Sequence, residues 1–193
     1  MHLDNDSLRT IAGLLGLSGF VPYIWTTLSG KTTPARTSWL IWGALNFLTL
    51  LAMAAKGADY RQLACVTIGS WIVAFLGLIK KGDPRWHAIE KICVVAAVVA
   101  VILWKAVFHD STAGLIASLI AILIGCISTW QKAWREPKGE NLTAWVVFCA
   151  SSLLATVAVK EWTIAEAAQP VVFLANQIAT VSIILFRRRR TPF

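Results

Sequence analysis

Ser18-Gly19-Phe20-Val21-Pro22-Tyr23-Ile24-Trp25 sets a proline late in an uncharged run that reaches back to Arg9. The run approaches the roughly 20 residues that cross a hydrocarbon core. A polar turn with Gly30, Lys31, Pro34 and Arg36 follows, and a second uncharged run opens on Trp39-Leu40-Ile41-Trp42. Proline removes a backbone donor, and a membrane helix tolerates that only where neighbours re-satisfy the freed carbonyl. Pro22 is therefore a candidate hinge, with Tyr23 beside it as a candidate gate.

The surrounding composition agrees with a membrane setting. The chain is 57% hydrophobic and only 15% charged, against about 25% charge in soluble domains. Ten tryptophans are present, several flanking apolar runs (Trp25, Trp39, Trp86, Trp104, Trp130, Trp134, Trp162), as in an interfacial aromatic belt. The net charge of +8 sits in short loops. Topology and anionic lipid account for it without nucleic acid as a partner. Cys65, Cys93, Cys126 and Cys149 are isolated within apolar runs and read as small hydrophobes. The acidic amino terminus lacks a basic stretch, so no cleaved signal peptide is expected.

Charges bound seven runs, predicting helices over about 10–29, 37–55, 62–79, 88–108, 111–131, 141–159 and 167–186. The fold class expected is an all-α membrane protein with seven transmembrane helices. With the amino terminus outside, twelve Lys and Arg fall in inner segments and four in outer ones. The positive-inside bias then puts the carboxyl terminus in the cytoplasm, in a multi-pass protein of the cell (inner) membrane.

The chain also repeats itself. Pro34 is followed by Trp42 and later Lys56, and Pro137 by Trp145 and later Lys160, with basic residues beside both prolines. Three helices match three in hydropathy, with one between them. Two parallel triplets, 8–81 and 111–190, are therefore expected, joined by an inverting linker helix in 86–109. This 3+1+3 layout, with Ser18-x-x-x-Pro22-Tyr23 and then Gly30-Lys31, resembles the PQ-loop superfamily, which includes the SWEET and SemiSWEET sugar facilitators. Tyr23 stands where that family has glutamine after proline, and the fifth helix has Gly125 or Ser128 at the proline's depth. The repeat puts helices 1 and 5 beside a central path, and the resemblance implies a substrate-facing asparagine in the third helix of a triplet. Asn176 matches that asparagine, and Gly69-Ser70 occupies the corresponding level of helix 3.

Polar side chains inside a bilayer turn toward the bundle interior. The candidates are Asn46, Ser70, Ser151, Ser152, Asn176 and Gln177. Helical stripes carry them: Trp39, Trp42 and Asn46; Trp145, Cys149 and Ser152; Gln169, Phe173, Asn176 and Thr180. Aromatic rings combined with amides suit a small neutral polar solute, with Trp42 and Trp145 stacking on it. No lysine lies within helix 7, no histidine within any run, and no carboxylate at a run's centre. Those absences argue against a retinal protein, a haem carrier, a Ser-His protease and an obvious proton-coupling group. No enzyme activity, cofactor or metal is expected. Glu161 and Glu166 read as a solvated cap of helix 7. Arg187, Arg188, Arg189 and Arg190 read as a stop-transfer anchor facing anionic lipid headgroups. A homo-oligomer is left open. The two function classes are a facilitator of a small neutral solute and a seven-helix receptor or scaffold. A wet central cavity favours the first, and a centre packed shut by Trp42, Trp145 and Phe173 favours the second.

Overall fold

The computed structural model describes residues 4–32, 34, 36–80, 88–102 and 111–190. Its helices are α1 (Asn5–Leu28), α2 (Arg36–Ala55), α3 (Arg61–Ile79), α4 (Ala88–Ile102), α5 (Ser111–Arg135), α6 (Leu142–Val157) and α7 (Ile164–Arg190), with a 3-10 turn over Pro137–Gly139. No strand occurs among the described residues. Five helices are long and apolar enough to cross a membrane: α1, α2 from Ser38, α3, α5 and α7. α6 is apolar but spans 16 residues, and α4 is described over 15. The ends of the expected linker, 86–87 and 103–109, lie outside the described residues, as does Lys81 at the end of the first triplet.

Local chemistry fixes several helix ends. Asp4 caps α1 by accepting from the Ser7 N–H at 2.7 Å. α1 and α2 both end in the two-bond pattern that closes a helix on a left-handed residue. The Lys31 N–H reaches Thr26 O and the Gly30 N–H reaches Thr27 O, just as Ala58 reaches Met53 O and Gly57 reaches Ala54 O. Gly30 and Gly57 sit at φ 73° and 69°, with open space where a Cβ would be. The requirement for glycine there is purely one of backbone conformation. Asn141 caps α6 by accepting from the Ala144 N–H at 3.0 Å.

The helix limits correct two expectations. α1 starts at Asn5 and α7 at Ile164, a turn or so earlier than the charges suggested. Arg9 and Glu166 therefore lie within helices and turn inward, and Glu166 is not a solvated cap. Continuous helix also runs through Pro22, whose N–H is missing.

The helices pack as a ring. α1 lies against α3 and α6, α3 against α2, α2 against α5, α5 against α7, and α7 against α6. α4 packs on the outside of α5, touches α2 lightly, and leaves Ile92, Val95, Val98 and Ile102 exposed. The ring order is unchanged when α1, α2 and α3 are exchanged for α5, α6 and α7. The burial pattern follows the same exchange. Gln62, Leu63, Val66, Gly69, Ser70, Val73 and Gly77 of α3 are buried. In the same register, so are Gln169, Pro170, Phe173, Asn176, Gln177, Thr180 and Ile184 of α7. Small residues permit the closest approaches. A Cβ on Gly16 would stand 2.8 Å from Ser151 Oγ, and one on Gly19 would stand 2.6 Å from the Phe148 ring. Both contacts belong to the α1–α6 seam.

Candidate functional site

Polar and aromatic residues inside the ring fall into three levels. At the first, Arg9 is a buried guanidinium with every arm engaged. Its Nε donates to Ala158 O at 2.9 Å, Nη1 to Asp59 Oδ2 at 3.3 Å, and Nη2 to Glu166 Oε2 at 2.6 Å. The Asp59 backbone N–H donates to Glu166 Oε1 at 3.2 Å. Arg61 donates to Asp59, and also to Asp6 Oδ1 at 2.9 Å, while Lys160 Nζ reaches both Asp6 oxygens at 3.1 Å. Three cations thus meet three carboxylates across α1, α3, α7 and the connections before α3 and α7. Burial alone would raise the Asp59 carboxyl. Hydrogen bonds from the Arg61 side chain and backbone, with the charges of Arg61 and Arg9, outweigh it and hold Asp59 below the usual aspartate value.

One turn deeper, Gln169 Nε2 donates to Gln62 Oε1 at 3.0 Å, and Gln62 Nε2 donates to Ser151 Oγ at 3.2 Å and marginally to Ser152 Oγ at 3.5 Å. Ser151 Oγ passes the chain on to Ala12 O at 2.8 Å. Between the ions and the glutamines lies a cavity of about 20 Å³, lined by Arg9, Asp59, Gln62, Glu166, Gln169 and Pro170 among others. That volume holds about one water. Asp59 and Glu166 are counterparts in the α3/α7 register, and so are Gln62 and Gln169. Each pair is in direct contact with itself.

The second level lies at mid-helix. Asn46 is completely buried, and its Nδ2 reaches Ser70 Oγ at a long 3.4 Å. Its Oδ1 has no partner, and neither has the buried Oε1 of Gln177. Asn176 accepts from the Trp130 indole at 3.1 Å, and Thr180 accepts from the same N–H at 3.1 Å. Thr49 on α2 donates to Ser118 on α5 at 2.8 Å.

The third level is aromatic and sits toward the Lys132 end. Tyr23 OH accepts from Trp39 Nε1 at 3.3 Å, and the two rings meet edge-on at 5.1 Å. Phe20 touches Trp39 at 6.0 Å and Phe148 at 4.7 Å, and Phe148 meets Trp145 at 5.9 Å. Trp145 Nε1 donates to Glu140 Oε2 at 3.0 Å, and Lys132 Nζ holds Glu140 Oε1 at 2.8 Å. Asn141 Nδ2 donates to the carbonyl of Pro22 at 3.0 Å and to Thr26 Oγ1 at 3.3 Å. The arginine run divides. Arg187 Nε donates to Trp134 O at 2.9 Å, and Arg188 donates to Pro137 O at 3.0 Å and Glu140 O at 2.6 Å. Arg189 and Arg190 are exposed.

Of the residues singled out from sequence, Asn46, Ser70, Ser152, Asn176, Gln177, Trp145 and Tyr23 are buried. Trp42 is only partly buried against the core. They form separate groups: Asn46 with Ser70, Ser152 with Gln62, Asn176 with Trp130, Tyr23 with Trp39, and Trp145 with Glu140. Arg9, Asp59, Glu140 and Asn141 were not anticipated as interior residues. Cys126 is buried, and Cys65 and Cys149 are partly buried. No family model, curated protein or solved structure matches the chain.

Proposed function

We propose that this chain is a facilitator of a small neutral polar solute. It would cross the cell membrane seven times in a 3+1+3 arrangement that resembles the PQ-loop proteins. The observation that carries the reading is the pair of buried, unpartnered acceptors, Asn46 Oδ1 and Gln177 Oε1, near the middles of α2 and α7. A buried acceptor without a donor costs about 1–3 kcal/mol, and a solute bearing hydroxyl or amide donors would relieve that cost. The ring supports the reading too. It is tied across its halves at the Arg9 end by Arg9–Glu166 and Lys160–Asp6, and at the Lys132 end by Asn141–Pro22 and Phe20–Phe148. A path that opens alternately needs two such separate closures.

Counterflow of a panel of neutral metabolites in proteoliposomes tests the proposal. Exchange of one class is expected, weakened for that solute by Asn46→Ala. A panel giving no exchange with folded, oriented protein would sink it. The second reading is a receptor or scaffold. It draws on the burial of Trp145 and Phe173 within one continuous core, with Trp42 packed against it. That reading expects binding without exchange.

A further inference from the structure

We propose that Glu140 is a positioning residue that sets the orientation of the Trp145 indole. Glu140 sits in the connection between the 3-10 turn and α6, and its side chain is only 4% exposed. An indole N–H is a donor only, so a buried tryptophan needs an acceptor. Glu140 Oε2 supplies one at 3.0 Å, while Oε1 takes the Lys132 ammonium at 2.8 Å and the Glu140 carbonyl takes Arg188 at 2.6 Å. The carboxylate is therefore held from α5 and its backbone from α7, leaving one oxygen to fix a ring on α6. Charge-assisted bonds of this kind are short and directional.

The orientation of Trp145 matters beyond that bond. Its ring stands at 84° to Phe148, which tilts against Phe20, which meets Trp39, which meets Tyr23. These contacts carry the indole's placement from α6 through α1 to α2, across the seam between the two halves of the ring. The consequence for transport rests on the facilitator reading. The positioning itself does not.

The two oxygens make the roles separable. In the charge-swapped variant K132E/E140K the opposite charges face each other again, but position 140 now offers the indole only donors. In E140Q a single amide oxygen must choose between Lys132 and Trp145. The full chain is labelled with 5-fluorotryptophan in detergent, and the Trp145 fluorine resonance is assigned by its loss in W145F. In K132E/E140K the thermal midpoint is expected to recover much of what E140K alone loses, while the Trp145 resonance stays displaced by more than its linewidth. A wild-type Trp145 resonance in the swapped variant would overturn the proposal. E140L, which offers the indole no acceptor, carries the same criterion should the swap fail to fold. If the resonance is displaced but the wild-type protein exchanges no solute, the facilitator reading falls and the positioning role stands.

Discussion

Gly69 shows how single residues decide what this bundle can hold. A Cβ there would run into the Phe20 ring, and Phe20 is itself buried between Trp39 and Phe148. The ring has no free direction to retreat, so Gly69→Ala is expected to destabilise by roughly 1–3 kcal/mol, the usual cost of overpacking. Thermal melts in detergent would check it, with F20L/G69A recovering most of the loss. An unchanged melt for Gly69→Ala would mean that α1 and α3 are not this close. The polar interior residues were legible in sequence because an amide inside an apolar run has one sensible direction to face. Their partners were not. Asn176 meets Trp130 and Ser152 meets Gln62 across long sequence separations that no local pattern encodes. Glu140 was hidden for a different reason: it lies at the end of an apolar run, where a carboxylate ordinarily marks the exit to water.

At the scale of elements, charge used as a boundary marker misplaced the ends of α1 and α7. Arg9 and Glu166 each look like the limit of a span, yet they neutralise one another at 2.6 Å and let both helices continue. Hydropathy counts charges singly, so a neutral pair drawn from opposite ends of the chain reads as two exits. Arg9→Met is expected to cost on the order of 3 kcal/mol, the low end for breaking a buried pair, because Glu166 loses its guanidinium partner while Asp59 keeps Arg61. The same cluster has a pH signature. Asp59 is depressed in the folded state, so its stabilisation is complete above the ordinary aspartate value. It is lost as pH falls from about 4 toward the lower folded value. Denaturant midpoints for wild type should therefore fall below about pH 4, and Asp59→Asn should flatten that part of the profile. An identical acid limb in both proteins would remove Asp59 as its cause.

For the whole molecule, the exchange of α1–α3 with α5–α7 is better marked by burial than by residue identity. The prolines and tryptophans that first suggested a repeat are few. Seven buried positions of α3 from Gln62 to Gly77 recur in register from Gln169 to Ile184, while Thr67 and Ala74 are buried without a fully buried counterpart. A rotation axis is the place where a residue can touch its own counterpart, and Gln62 touches Gln169 while Asp59 touches Glu166. Both pairs would therefore sit on the axis of the ring, at its Arg9 end, where a central path would have to open. The proposal predicts what happens when they cannot separate. With the four native cysteines replaced, Gln62→Cys and Gln169→Cys should be bridged by a short bifunctional thiosulfonate. The bridged protein should stay folded and bind solute, yet its counterflow should fall to the rate of empty liposomes and return on reduction. Bridging only one of the two cysteines to a monofunctional reagent of the same size controls for bulk. Counterflow that continues at the unbridged rate with Gln62→Cys and Gln169→Cys fully cross-linked would show that solute does not pass between α3 and α7, and the path would have to lie elsewhere in the ring.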